Sequence, residues 1–258
     1  MTPLIAQLTE LAQLTEAAIW QAALVFFRVG AAVALLPALG EHFLPQRVKL
    51  AAVVMLTLIV APAVPGATLA AVGFDGAAIL TEVLAGLCLG VVMRLLILGL
   101  QTAGTLIAQS VSLAQMFSGT GPEPQPIVSN LLVLAGIVLF CTLGGLARSV
   151  ELLVLSYDLL PSGKLPDSGA LSQWGLARIS RIFALAFTLA APFVIAALLY
   201  NLALGAINRA MPGLMVTFIG APALTLGGLI LLALLSPFLL QSWQDAVLGS
   251  FADPFGIR

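Results

Sequence analysis

The sequence predicts an all-α, polytopic membrane protein of about six to seven proline-broken helices. Of the 258 residues, 61% are hydrophobic and only 8% are charged, and the mean hydropathy is +1.14. Soluble domains carry about one quarter charged residues, so water is not the main solvent of this chain. Backbone in lipid must be helical or part of a closed barrel, and barrel strands alternate over about ten residues.

The apolar residues form runs that no charged side chain interrupts, and each run exceeds the roughly 20 residues that cross the hydrocarbon core. These runs are 50–74, 95–122, 124–147, 182–208 and 210–244. We predict spans at 20–39, 50–64, 77–93, 95–116, 127–147, 182–203 and 214–240. Before the first span, leucines recur at helical spacing opposite glutamine and glutamate, which is typical of an interfacial helix that is retained and not a cleaved signal.

Prolines interrupt these runs and remove backbone hydrogen bonds. They are Pro37, Pro62, Pro65, Pro192, Pro212, Pro222 and Pro237. Irregular backbone at membrane depth must be buried in protein or line a wet cavity. The longest polar connection, 156–175, is too short to form a domain, so we predict one membrane-embedded domain over residues 1–258.

The basic residues predict an orientation with the N-terminus outside. With the spans given above, eight of them lie inside, one lies outside and Arg28 lies within a span, which agrees with the positive-inside rule. The eight are Arg47, Lys49, Arg94, Arg148, Lys164, Arg178, Arg181 and Arg258. This orientation depends on a break at Arg94, because one unbroken helix there would invert everything before it relative to everything after it.

The side chains of an enzyme active site are missing from the sequence. There is one histidine, His42, in a turn, where we expect a surface or subunit-contact role, and both cysteines, Cys88 and Cys141, lie within apolar runs. This composition predicts no catalytic residues, no cofactor and no metal site. The net charge of −1 also argues against a nucleic-acid surface. Gly86 and Gly90 form a GxxxG motif, which allows two helix backbones to approach closely.

Three charged residues, Arg28, Glu82 and Arg94, lie inside apolar segments, where an unpaired ion costs at least about 2.5 to 3.5 kcal/mol. One interpretation makes Glu82 the ion carrier of a secondary transporter. The other makes the charges structural, with Glu82 paired to an arginine or Arg94 reaching the interface. We favour the structural interpretation, because one carboxylate without polar neighbours makes a poor proton relay.

A polar stripe marks the run 95–122. Gln101, Thr105, Gln109, Ser112 and Gln115 fall within about 120° of one helix face at about 100° per residue. Met116 and Phe117 follow, and then the helix-breaking residues 118–122. The stripe is typical either of hydrogen bonding between helices or of a conduit wall or plug, and the residues alone do not choose between these two interpretations.

Three segments carry a resemblance to a known family. Residues 201–228 read NLALGAINRAMPGLMVTFIGAPALTLGG, residues 26–51 read FFRVGAAVALLPALGEHFLPQRVKLA, and residues 104–130 read GTLIAQSVSLAQMFSGTGPEPQPIVSN. They resemble the FliR proteins of the flagellar type III export gate, whose counterparts serve virulence-type secretion. In the third segment, Ser118 and Gly119 stand where family members often have Asp-Pro.

The resemblance implies that the helical hairpins of this chain assemble into an export gate in the bacterial inner membrane, at the flagellar basal body. This channel-forming complex would contain several FliP-type and FliQ-type subunits and a FlhB-type subunit. Unfolded flagellar proteins are the implied cargo. By the same resemblance, Gln109, Ser112, Gln115, Met116 and Phe117 belong to the plug that closes the conduit. The competing hypotheses are a secondary transporter with an ion-coupled site at Glu82, a membrane-embedded enzyme, and a scaffold without a pore.

Overall fold

The protein is helical throughout the residues that its computed structural model describes, which are 2–64, 75–111, 127–164, 167–210 and 216–254. No strand occurs in these ranges, and the prediction of an all-α fold is confirmed. The helices are α1 (Thr2–Leu35), α2 (Gln46–Ala63), α3 (Gly76–Ser110), α4 (Ile127–Thr142), α5 (Gly145–Leu159), α6 (Ser168–Ala210) and α7 (Val216–Ala252).

Within these ranges, five helices are long and apolar enough to cross a membrane, and the bent pair of α4 and α5 makes a sixth if the two count as one span. The number agrees with a polytopic membrane protein. The predicted span 127–147 does not continue straight, because the chain bends by 68° between α4 and α5. Gly144 has a φ of 72° at this bend, a left-handed conformation that glycine adopts without a Cβ clash.

The predicted boundary at Arg94 is wrong. Helix α3 runs unbroken from Gly76 to Ser110, so the predicted spans 77–93 and 95–116 are one helix as far as Ser110. Arginine is a good helix former, and its guanidinium pairs with Glu41 instead of marking a turn in water. The orientation inferred from the basic residues fails with this boundary, since the segments before and after α3 exchange sides.

Three prolines do not end the helices that contain them: Pro192 lies in α6, Pro222 and Pro237 lie in α7, and both helices continue through them. By contrast, α2 ends at Ala63, one residue after Pro62. Helix α6 has 43 residues where the predicted span had 22, and at 1.5 Å per residue it is about 65 Å long. This is roughly twice the thickness of a hydrocarbon core. Pro65 and Pro212 lie outside the described residues.

The chain forms two compact units that alternate along the sequence. The first comprises 1–94, 143–175 and 250–258, and the second comprises 95–142 and 176–249. The core of the first unit is built on Val25, Val29 and Val33 of α1, with Leu89 of α3 and Leu153 of α5 in the same cluster. The presence of one membrane domain over the whole chain stays a prediction.

In the second unit, α3, α4 and α7 meet at Trp243. The indole of Trp243 is fully buried, and its Nε1 donates a hydrogen bond of 2.9 Å to the carbonyl oxygen of Leu96. Gly136 of α4 lies beside the indole: a Cβ added there would be 3.6 Å from two ring atoms of Trp243 and would collide with Leu100. The small residue therefore lets α4 lie close against α3 and α7.

The GxxxG motif of α3 lies against α1 in the first unit. A Cβ added at Gly90 would lie 2.9 Å from the carbonyl oxygen of Ala32, and one added at Gly86 would collide with that of Arg28. The predicted close approach of helix backbones at this motif is confirmed. It also sets α1 and α3 at the separation that the charged side chains between them require.

Candidate functional site

The charged residues that the sequence places in the membrane form a buried pair. Helix α1 supplies Arg28 and α3 supplies Glu82, with side chains 1% and 0% exposed. The Nε of Arg28 donates a hydrogen bond of 2.7 Å to Oε2 of Glu82, and its Nη2 donates one of 3.2 Å to Oε1. Such a two-point contact between guanidinium and carboxylate fixes distance and orientation together.

Helix α5 completes the surroundings of this pair. The Nη1 of Arg28 donates to Oγ of Ser156 at 2.9 Å, and Nη2 donates to the carbonyl oxygen of Leu160 at 2.8 Å. The ring of Tyr157 lies 3.7 Å from the guanidinium carbon, and its hydroxyl donates to Oε2 of Glu82 at 3.3 Å. We call Arg28, Glu82, Ser156 and Tyr157 the charge network; it ties three helices of the first unit together.

The charge network is electrically neutral and its polar atoms are satisfied. A buried pair gains about as much from mutual attraction as it loses in desolvation, while removal of one partner leaves an unpaired ion that costs about 3–5 kcal/mol. Both carboxylate oxygens of Glu82 already accept hydrogen bonds. This does not support the alternative of a transporter with an ion-coupled site at Glu82, because an ion carrier must exchange its ligand with water.

Arg94 pairs with a different carboxylate. Its Nη1 contacts Oε1 of Glu41, which lies in the turn between α1 and α2. A second basic residue binds the same turn: Nζ of Lys49 donates a hydrogen bond of 3.1 Å to the carbonyl oxygen of Gly40. His42, one residue beyond Glu41, is exposed. Arg94 is therefore partly exposed and paired, and it holds the tip of the α1–α2 hairpin against α3.

The first half of the polar stripe takes part in helix packing in the second unit. The carbonyl oxygen of Gln101 accepts hydrogen bonds from Thr105, at 2.8 Å, and from Ser129 of α4, at 2.9 Å. Gly104 lies against Ser129 so closely that a Cβ there would collide with the Cα of Ser129. The backbone of Gln101 and the small residue Gly104 thus form the contact between α3 and α4.

The stripe changes character at the end of α3. The side chain of Gln109 is exposed, whereas Val111 is buried and packs directly on Gly228 of α7. The described residues of this region end at Val111 and begin again at Ile127. Of the residues predicted for the plug, Gln109 alone lies in the described ranges; Ser112, Gln115, Met116 and Phe117 lie outside them.

Among the residues with described positions, no group of three or more histidine, cysteine, aspartate and glutamate side chains could hold a metal ion. The two cysteines are both free, with Cys88 half-buried and Cys141 exposed. The predicted absence of catalytic residues, cofactor and metal stays a prediction.

Sequence reasoning missed the contribution of α5 to the charge network. Ser156 and Tyr157 fall in the segment 156–175, which was predicted to be a polar connection, yet α5 continues to Leu159. The available signal was the spacing of Leu153, Ser156 and Tyr157, which lie four, seven and eight residues after Ser149 and share a helix face with it. All four are buried in the structure.

Comparison with known proteins identifies the family. The model of "Bacterial export proteins, family 1" matches residues 19–249. The flagellar biosynthetic protein FliR of Caulobacter vibrioides is 32% identical over 232 residues, covering 88% of this chain and 92% of that protein. The FliR proteins of Escherichia coli and Pectobacterium carotovorum are 31% and 32% identical, covering 82% and 83% of this chain and the same shares of their own lengths.

The match to the family model covers most of the chain and includes the charge network as well as the end of α3. The apolar helices described above agree with a membrane-embedded protein of this kind. The resemblance seen in the sequence is confirmed: the chain belongs to bacterial export proteins, family 1, and is a FliR-family protein of flagellar export.

Proposed function

We propose that the chain is a non-enzymatic subunit of the flagellar type III export gate in the bacterial inner membrane, where it forms part of the channel with FliP-type and FliQ-type subunits. A FlhB-type subunit is a further proposed neighbour, and unfolded flagellar proteins are the proposed cargo. Family membership carries the proposal. The helices support it: α6 is about 65 Å long, and its exposed hydrophobic side chains extend from Leu176 to Ile207, over about 45 Å, which is longer than a single lipid span needs.

We propose in addition that the end of α3 and the segment after it plug the channel, with Gln109, Ser112, Gln115, Met116 and Phe117 closing the conduit. The supporting observation is the change along α3: the carbonyl oxygen of Gln101 accepts a hydrogen bond from Ser129 of α4, whereas the side chain of Gln109 is exposed. Uncharged polar groups and a flexible thioether can seal a passage without binding the cargo tightly. Such a closure would hold back ions and still yield to an unfolded chain.

The plug is tested by removing residues 112–121 and measuring ion leakage. The deletion begins after Val111, because Val111 packs on Gly228 and its loss would disturb α3 itself. We expect the assembled complex to conduct ions at rest, measured as current across planar bilayers or as sodium or potassium sensitivity of cells. A matched control replaces 112–121 by a Gly/Ser segment of equal length, which keeps the connection but removes the glutamine, methionine and phenylalanine side chains; it should leak as well.

Unchanged conductance in a deletion complex shown to be fully assembled would exclude the plug. The gate itself is tested separately by purification in mild detergent. Several copies of two small helical partners per copy of this chain are expected, and recovery of the chain as a monomer from cells that express those partners would count against the proposal. The two results are independent, so the plug can fail while the gate stands.

A further inference from the structure

A groove of about 400 Å³ opens in the first unit between α1, α2, α3 and α5. Leu36 and Leu39 of the turn after α1, Met55 of α2, Leu89 and Met93 of α3 and Leu153 of α5 line it. Ser149 is the one lining residue with a polar side chain, and its Oγ donates to the carbonyl oxygen of Gly145 at 2.7 Å. The groove therefore offers hydrocarbon surface on every side, which suits a hydrocarbon ligand.

One end of the groove carries basic side chains. The ammonium of Lys49 is fixed on the carbonyl oxygen of Gly40, the residue after Leu39, and Lys49 lies one helical turn before the lining residue Ala52. On α5, the exposed Arg148 directly follows the lining residue Ala147.

Two carboxylates also lie near this end. Glu41 is occupied by Arg94, and Glu151 stands one turn beyond Arg148. With Arg47 in the first turn of α2, the cations outnumber the carboxylates at this end. An apolar groove with a basic rim at one end matches a molecule that has an apolar chain and an anionic head.

We propose that this groove binds one acyl chain of an anionic phospholipid, whose phosphate lies at Lys49 and Arg148. The basic end of the groove favours a lipid over an apolar helix of a partner subunit, because the phosphate of a lipid supplies a negative charge for Lys49 and Arg148 and an apolar helix supplies none. A lone hydrocarbon chain is narrower and can follow the groove along its length.

The bound chain would stabilise the first unit. An empty apolar groove forfeits dispersion contacts that its lining atoms would otherwise make. A lipid that binds the folded protein and not the unfolded chain also raises the apparent stability in proportion to the logarithm of its concentration. Because the groove lies beside the α1–α2 hairpin tip, which Arg94 and Lys49 hold, the lipid and these two cations would fix the same turn.

The test uses the full chain, purified in mild detergent and depleted of lipid, with dioleoyl phosphatidylglycerol and dioleoyl phosphatidylcholine as matched anionic and zwitterionic probes. Bound lipid is counted by mass spectrometry of the intact protein, and the melting temperature is followed during the titration. We expect retention of phosphatidylglycerol and a rise in melting temperature that phosphatidylcholine does not match. Lys49→Gln and Arg148→Gln should each weaken phosphatidylglycerol binding about fivefold, from about 1 kcal/mol per basic side chain at an anionic surface.

The groove is tested by Ala52→Leu and Ala147→Leu, which fill it. Both variants should lose the lipid and the lipid-dependent rise in melting temperature. The controls are Ala203→Leu on an exposed position of α6 and Lys164→Gln on an exposed position after α5, which should bind like the parent protein. If a filled variant does not fold, Arg148→Gln, which changes an exposed position, still decides the question.

Three outcomes would overturn the proposal. The first is equal affinity for both probes, and the second is unchanged lipid binding in filled variants that are folded. The third is loss of a protein partner from the filled variants while lipid binding stays the same, which would assign the groove to a partner helix. None of these outcomes depends on whether the assembled complex conducts or exports.

Discussion

The side chains of Arg28 and Glu82, 54 residues apart in the sequence, meet at 2.7 Å in the interior of the first unit. Arg28 also contacts Ser156, Tyr157 and the carbonyl oxygen of Leu160, so one guanidinium fixes α1, α3 and α5 relative to one another. Two glycines on α3 allow α1 to approach closely enough for this contact. Each of these relationships leads to a measurable effect on stability.

Loss of one member of the pair should be more harmful than loss of both. Glu82→Ala leaves the buried guanidinium without its counter-ion and should lower the free energy of unfolding by about 3–5 kcal/mol. In Arg28→Met with Glu82→Leu, apolar side chains replace both charges, and we expect recovery of a large part of that loss. Recovery should be incomplete, because the hydroxyl of Tyr157 loses Glu82 and the carbonyl oxygen of Leu160 loses Arg28. Unfolding in detergent, followed by circular dichroism, measures both variants against the parent protein.

Glu151→Ala is the control for this series, since Glu151 is an exposed carboxylate on α5 and its removal should change stability by less than about 0.5 kcal/mol. If the double substitution were as damaging as Glu82→Ala alone, the electrostatic account of the charge network would be wrong, and shape would be the dominant factor.

The GxxxG motif should tolerate no added methyl group at its first glycine. A Cβ at Gly86 collides with the carbonyl oxygen of Arg28, a backbone atom that cannot move aside without displacing α1. We expect Gly86→Ala to destabilise the protein by roughly 1–3 kcal/mol, as overpacking does elsewhere. Because a shift of α1 would also disturb the contact between Arg28 and Glu82, the stability losses of Gly86→Ala and Glu82→Ala should not add fully when the two substitutions are combined.

Gly205→Ala is the matched substitution, since Gly205 lies inside α6 with nothing within 4 Å of the added Cβ. It should be neutral or stabilise the protein by up to about 1 kcal/mol, as expected for glycine to alanine in a helix interior. Equal effects at Gly86 and Gly205 would contradict the close approach of α1 and α3.

Trp243 should carry a large share of the stability of the second unit. Its indole is fully buried, and Trp243→Ala should cost about 3–5 kcal/mol because it opens a cavity between α3, α4 and α7. Trp243→Phe keeps most of the volume but removes the hydrogen bond to Leu96, and should cost about 1 kcal/mol beyond the small loss of packing.

Trp20→Phe serves as the control for both Trp243 variants. Trp20 is exposed, and its Nε1 lies 3.4 Å from Glu16 on the same helix, so its replacement should alter stability by less than about 0.5 kcal/mol. Comparison of the three variants by thermal unfolding in detergent separates burial from hydrogen bonding. A cost for Trp243→Phe as large as that for Trp243→Ala would mean that the hydrogen bond, and not the packed volume, dominates.

The periodicity and the composition alone determined the fold class, the absence of long polar domains and the position of the GxxxG contact. These properties follow from local chemistry. The chain is 61% hydrophobic, and the backbone of its long apolar segments must be helical in lipid; Gly86 and Gly90 share one face of such a helix. The family resemblance was also visible in the sequence, because it lies in continuous segments.

Only the tertiary structure decided the roles of side chains whose partners are distant in the sequence. From the sequence, Arg94 is predicted to mark a helix boundary. In the structure it pairs with Glu41, 53 residues away, and it lies within the continuous helix α3. Tyr157 and Ser156 join the charge network only because Gly144 bends the chain by 68° before α5. The polar stripe divides at Gly104 because Ser129 of α4 lies there, and Gln109 beyond it is left exposed. In each case the side chain's role depends on a partner distant in sequence, which no local pattern encodes.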